Sequence, residues 1–126
     1  KEGEDYIHPE GRAVRNADVT KPAPRAVSYA YCADTMYEEK ILPYIQDTDL
    51  VYHEATYLDD QREKAMERFH STAHQAATIA LKAGARRLLL GHFSSKYEAL
   101  DVFREEAEKV FPGVEVCREG VTYLVK

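Results

Sequence analysis

Three short apolar runs, each ending at a chemically active side chain, limit what this chain can fold into. Residues 26–33 carry Val27, Tyr29 and Tyr31 and are followed by Asp34. Residues 49–54 carry Leu50 and Val51 and close on His53 and Glu54. Residues 87–91 carry Leu88, Leu89 and Leu90 and are followed by His92. Such runs read as buried strands, and the continuous leucines predict burial on both faces, as in parallel sheets covered by helices. A helical pattern follows each run. The expected fold class is therefore α/β: strand and helix repeated three times, one or two closing strands, and right-handed crossovers. Sheets of this kind place their chemistry at the strands' carboxyl ends, where Asp34, Glu54 and His92 stand.

Between these runs the helical signals are uneven. Thr35 is an expected N-cap for a helix over 36–46, with Glu38 and Glu39 suiting its dipole and Pro43 kinking or dividing it. Residues 58–68 are strongly charged and read as a solvated helix or an ordered loop. Residues 72–83 make a better helix, with Ala73, Ala76, Ala77 and Ala80 on one face and Gly84 as its stop. Residues 96–111 repeat Leu100, Phe103, Ala107 and Val110 at helical spacing, and Pro112-Gly113 ends them. Residues 114–117 and 121–125 read as strands of a hairpin around Glu119-Gly120. Residues 1–25 form a loop-rich lead-in with a short strand near 12–14, ended by Pro22 and Pro24. Residues 26–126 form the structured unit.

Composition excludes several classes. The chain has 126 residues, enough for one domain with a real core, and a formal charge of −5, so no global basic field attracts nucleic acid. A local basic patch around Arg86, Arg87 and Lys96 stays open. No apolar run could span a bilayer and no secretion signal is seen, which points to a cytoplasmic protein with no membrane partner. The start at Lys1 and the charged residues 1–6 read as the interior of a longer protein. Two cysteines, Cys32 and Cys117, are no disulfide framework and are read as free, buried thiols, with a pairing of the two as the alternative.

Each candidate site residue has a chemical reading and a plainer one. The two oxygens of Asp34 can each take one cation; Asp is also common as a cap or turn residue. Alternation sends His53 and Glu54 to opposite faces, and Glu54 can orient an imidazole or simply face solvent. His70 and His74, four apart, could share a helical face, but there is no His-Glu-x-x-His pattern, and His74 is read as a surface residue. Thr72 with Gln75 forms a capping box. His92 follows a buried strand and a glycine, which suits a metal ligand, and Ser94, Ser95 and the following amides suit a phosphate. A Gly-rich phosphate loop, a Cys-x-x-Cys pair and a Gly-x-Ser-x-Gly elbow are all absent, which argues against serine hydrolysis.

Taken in order, Ala33-Asp34-Thr35, His53-Glu54-Ala55-Thr56, His70-Ser71-Thr72-Ala73 with Gln75-Ala76-Ala77, and Leu90-Gly91-His92-Phe93-Ser94-Ser95-Lys96-Tyr97 resemble the motifs of the ribonuclease Z family, tRNA 3′-processing endonucleases of the metallo-β-lactamase superfamily. The resemblance implies the C-terminal half of a metallo-β-lactamase-type αββα sandwich, one mixed sheet with flanking helices. It implies two zinc ions per complete site, with Asp34 bridging them and His92 a ligand of one. Metal-activated water would cut the 3′ trailer from precursor tRNA and leave a 3′-hydroxyl. His70, oriented by Glu54, would donate the proton to the leaving oxygen. Ser94, Ser95 and Lys96 would lie near substrate phosphates, with Lys96 lacking the fork of the family's more usual arginine.

The family's His-x-His-x-Asp-His motif is absent from these residues, so the resemblance places most metal ligands on an N-terminal half of the same protein. The partners implied are that half, precursor tRNA and a second copy in a homodimer; the fragment alone is expected to be inactive and to expose an apolar sheet face. Two alternatives remain. One is another phosphodiesterase of the superfamily. The other is a non-catalytic α/β binding module, which has no need to keep Asp34, Glu54, His70 and His92 together.

Overall fold

The computed structural model describes residues 6–7, 13–14 and 23–126. Its centre is a four-stranded sheet in the order β3 (Tyr29–Cys32), β4 (Leu50–Glu54), β5 (Arg87–Gly91) and β6 (Glu115–Val116). All three pairings are parallel, with Cys32 opposite His53 and His53 opposite Leu90. The strands β1 (Tyr6–Ile7) and β2 (Ala13–Val14) form a separate antiparallel pair. Thus the short strand expected near 12–14 is present at Ala13–Val14, and most of the remaining lead-in lies outside the described residues.

The helices are α1 (Leu42–Ile45), α2 (Arg62–Glu67), α3 (Ala73–Ala83) and α4 (Asp101–Glu108). Val51, Leu88 and Leu90 point from one sheet face into a core closed by Ala73, Ala76, Ala77 and Ala80 of α3 and by Phe103 and Ala107 of α4. Ile45 adds a second cluster against Ile79 and Ala83. Small side chains let α3 lie close to the strands, and its start is the expected capping box: Gln75 N donates to Thr72 Oγ1 at 3.1 Å and Thr72 N to Gln75 Oε1 at 3.0 Å. Such a cap contributes about 1 kcal/mol. Gly84 ends the helix at φ 69°, a left-handed turn that favours glycine.

On the opposite sheet face the edge strand is exposed, although Leu50 and Leu89 of the inner strands are buried there. Tyr29 and Tyr31 are 51% and 67% exposed, and Tyr31 stacks on Tyr52 with ring centroids 4.8 Å apart. This corrects the expectation of a buried first strand: β3 is shorter than 26–33, sits at the sheet edge and buries only Ala30 and Cys32 partway. The leucine run behaves as expected, with Leu88, Leu89 and Leu90 all buried.

Local hydrogen bonds explain the other departures. Thr35 caps no helix: its hydroxyl donates to Met36 O at 2.8 Å and its amide to Glu54, the turn Glu39–Ile41 is capped by Glu38 instead, and Pro43 sits in the first turn of α1. The last long helix starts only at Asp101. Residues before it are tied to the extension of β4, with Ser94 N donating to Thr56 O at 3.0 Å and Leu58 N to Tyr97 Oη at 3.1 Å. No strand forms over 121–126, so the expected hairpin is absent and every pairing in the sheet is parallel; Tyr123 Oη instead meets Arg118 N and Val116 O. Both cysteines are free and half-buried, and burial pushes the Cys32 thiol up.

The basic patch left open around Arg86, Arg87 and Lys96 does not form. Arg86 and Arg87 lie at the far end of β5 from Lys96 and are paired with Asp49 at 3.7 Å and Glu115 at 3.0 Å. Asp49, fully buried, also takes Arg25 at 2.8 Å and the amide of Ser28 at 2.8 Å, which fixes the register of β3 on β4. The Arg25 guanidinium holds its carboxyl well below the usual range. A depressed folded value contributes stability above the ordinary value and loses it as pH falls toward the folded one. We expect Asp49→Asn to lower the thermal midpoint by several degrees at pH 7, with the gap to wild type closing as pH falls below 3.8, the ordinary value, in calorimetric scans.

Candidate functional site

The carboxyl ends of β3, β4 and β5 open into three loops, and Glu54 joins them. Its side chain is fully buried. Oε1 accepts from Thr35 N at 3.1 Å and meets His70 Nδ1 at 2.5 Å. Oε2 accepts from Thr56 N at 3.1 Å, Thr56 Oγ1 at 2.9 Å and Ser71 N at 3.0 Å. Ser71 Oγ adds a bond to Thr35 O at 2.6 Å. One carboxylate thus holds the loop after β3, the extension of β4 and the segment leading into α3. Ionised carboxylate oxygens only accept, so His70 carries its hydrogen on Nδ1 and keeps Nε2 free.

The same logic fixes His92. The Thr56 hydroxyl spends its hydrogen on Glu54, so it must accept from His92 Nδ1, 2.9 Å away. His92 Nε2 then faces Asp34, 3.3 Å from Oδ1. Ligand atoms of Asp34, His70 and His92 all lie within 4.8 Å of one another. Two imidazoles held through Nδ1, plus one carboxylate, are the donor set of a cation site whose ligands are oriented from behind. The residues present therefore fit a divalent metal, although three donors fall short of closing two tetrahedral sites.

Backbone strain marks the cluster. Asp34 and His92 have φ of 49° and 60°, and Phe69, just before His70, has 60°. Left-handed backbone costs of order 1 kcal/mol or more at a non-glycine residue and persists where surroundings impose it. Gly91 precedes His92 because a Cβ there would collide with the Tyr52 ring, whose hydroxyl burial pushes up to about 12.

The cluster lies between two clefts. One, of about 620 Å³, runs beside His92 along Phe93, Ser94, Tyr97 and Arg118. The other, of about 240 Å³, lies beside His70 against Met36, Tyr37 and Met66.

Of the residues singled out from sequence, Asp34, Glu54, His70 and His92 come together. Ser94, Ser95 and Lys96 follow on the adjoining loop, with Lys96 and Ser95 exposed. His74 does not join His70: it is half-buried on α3, and its amide donates to Glu106 at 2.9 Å. His53 points to the opposite face, as alternation requires, but Glu54 is not the surface residue of the plainer reading. His53 is buried, which pushes its imidazole down; Nδ1 donates to Glu54 O at 2.7 Å, and Nε2 has no partner among the described residues. Thr35, Thr56 and Ser71 were not identified in the sequence as partners of Glu54, since short hydroxyl residues beside turns read first as caps.

Residues 21–93 match the beta-lactamase superfamily domain. The chain belongs to this superfamily. It is 46% identical to ribonuclease Z of Parabacteroides distasonis over 99% of its own length and 41% of that protein. With ribonuclease Z of Porphyromonas gingivalis it shares 49% identity over 87% of the chain and 36% of that protein. Solved relatives include a metallo-β-lactamase fold protein of Bacillus subtilis, with a TM-score of 0.72 and 30% identity over 79% of this chain and 40% of that one. Human tRNase Z, short form, has a TM-score of 0.53 and 32% identity over 68% of this chain and 27% of that one. The chain spans about two fifths of the length of the first curated relative. The resemblance to ribonuclease Z and the metallo-β-lactamase fold are therefore borne out. Within this superfamily member, Glu54→Gln should turn an amide NH₂ toward bound donors and lower stability by about 2 kcal/mol or more in chemical denaturation; a midpoint equal to wild type would contradict the hub geometry.

Proposed function

We propose that residues 26–126 are the C-terminal half of a zinc-dependent endoribonuclease that removes the 3′ trailer from precursor tRNA. The observation that carries this reading is the meeting of Asp34, His70 and His92 above a buried Glu54. The ribonuclease Z relatives supply the substrate class, and clefts on both sides of the cluster suit a diester with chain extending each way.

Bound zinc supplies an activated water and neutralises phosphate charge. Asp34, through its carboxylate, and His92, through Nε2, would hold the metal. His70 serves as proton donor: Glu54 beneath Nδ1 stabilises its imidazolium and aims Nε2 at the leaving 3′-oxygen, which then departs as a hydroxyl. Ser94, Ser95 and Lys96 hold phosphates beside His92. The other ligands come from an N-terminal half that packs on the sheet face of Tyr29, Tyr31 and Tyr52. The intact protein acts in the cytoplasm as a homodimer. No helix among the described residues is long and apolar enough to cross a membrane.

The decisive comparison is His92→Ala against His70→Ala in the intact protein, with zinc content and precursor-tRNA cleavage measured together. Both variants should lose at least about 100-fold in cleavage, and only His92→Ala should also lose metal. Zinc loss in both would make His70 a ligand rather than the proton donor. Full activity in both would end the endonuclease reading and favour a binding module. The isolated chain should take up zinc weakly by isothermal titration and leave precursor tRNA uncut; tight stoichiometric binding would refute the assignment of the missing ligands to the other half.

A further inference from the structure

Tyr57 continues β4 into the site, and its ring is almost buried, at 5% exposure. Three groups from three different segments gather on it. Lys64 Nζ, from α2, and Lys96 Nζ, from the loop after β5, each stand 5.7 Å from the ring centroid. The His70 ring meets it edge-on at 6.4 Å. Tyr57 itself is locked on both sides: its amide donates to Ser71 O and its carbonyl accepts from Ala73 N at 2.9 Å. Lys96 also stands 5.1 Å from the ring of Tyr97, whose hydroxyl accepts from Leu58 N.

Each ammonium is attracted to the electron-rich ring, which holds it in place without cancelling its charge. Only some of the chain's cations are neutralised. Arg25, Arg62, Lys82, Arg86, Arg87 and Arg118 all pair with carboxylates. Among the described residues Lys64 and Lys96 do not, and neither do Lys40, Arg68, Arg104, Lys109 and Lys126, but of these only Lys64 and Lys96 are seated on an aromatic ring. A carboxylate cancels a cation's field toward an incoming anion, whereas an aromatic ring positions the cation and leaves its charge outward. Lys64 is half-buried, so its stem is held in place while the head remains on the ring.

The geometry points to Lys64 as a second phosphate-binding residue that works with Lys96 across Tyr57, on the His70 flank, as a clamp for consecutive phosphates of an RNA strand. This rests on the endoribonuclease reading and adds to it a determinant of substrate class. A single phosphodiester can satisfy the metal cluster alone. Only a polyanion with neighbouring phosphates engages both ammoniums at the same time. The clamp therefore selects for polynucleotide over small diesters, and it supplies locally the basic field that a chain with net charge −5 lacks overall. Lys64 lies on a charged helix that the sequence presents as a solvated surface; only its contact with Tyr57 separates it from the neighbouring Arg62 and Arg68.

The test compares wild type, Lys64→Met and Lys64→Arg in the intact protein. Cleavage of precursor tRNA and hydrolysis of bis(p-nitrophenyl) phosphate are measured across a salt series. Lys64→Met should raise KM for precursor tRNA about tenfold with kcat little changed, and reduce the slope of log kcat/KM against log salt by about 1. Selectivity for tRNA over the small diester should fall by the same factor, and Lys64→Arg should restore it. An equal loss on both substrates would mean Lys64 is merely structural and would overturn the clamp, as would an unchanged KM and salt slope. If wild type hydrolyses the diester but leaves precursor tRNA intact, the endoribonuclease reading fails and takes the clamp with it. If wild type cuts tRNA and Lys64→Met matches it, only the clamp fails.

Discussion

The site depends on one buried carboxylate facing donors from three loops. Glu54 receives backbone amides from residues 35, 56 and 71, a threonine hydroxyl and an imidazole. A charge buried this deeply is tolerated only when its acceptor capacity is filled. The loops after β3 and β4 and the entry to α3 are consequently drawn to one point. That convergence sets the hydrogen on both imidazoles, directly for His70 and through Thr56 for His92. The two Nε2 atoms and Asp34 face a common space because of what lies behind them.

The sheet beneath is asymmetric. One face carries the helices, with α3 and α4 pressed on Val51, Leu88 and Leu90. The other presents stacked tyrosines to solvent. A parallel sheet normally has both faces covered, whereas here Tyr29 and Tyr31 of the edge strand are exposed. At the far end of the strands, Asp49 with Arg25 and Ser28 fixes the register of β3 on β4. That register places Asp34 within reach of His92, so an ion pair distant from the site helps to assemble it.

Much of this was legible in the sequence. The leucine run, the alanine face of α3, its capping box and Gly84 all act over a few residues, and local periodicity and capping chemistry reveal them. The ends of helices were less legible, because tertiary hydrogen bonds outcompeted propensity there. Thr35 gave its amide to Glu54, and residues 94–97 bonded to the β4 extension instead of beginning a helix. The edge position of β3 was hidden for a related reason, since tyrosine-rich runs look alike whether or not another layer covers them.

By itself the sequence determined the alternation of strands and helices, the chemical types placed at the strand ends and the resemblance those types carry. These follow from interactions between near neighbours along the chain. Tertiary structure alone decided that His70 and not His74 joins Asp34 and His92, that Glu54 is buried, and that Lys64 and Lys96 meet over Tyr57. Each of these brings together segments far apart in sequence. Such contacts form only when the closed sheet and its packed helices hold the loops in place, and no pattern of local spacing records the outcome.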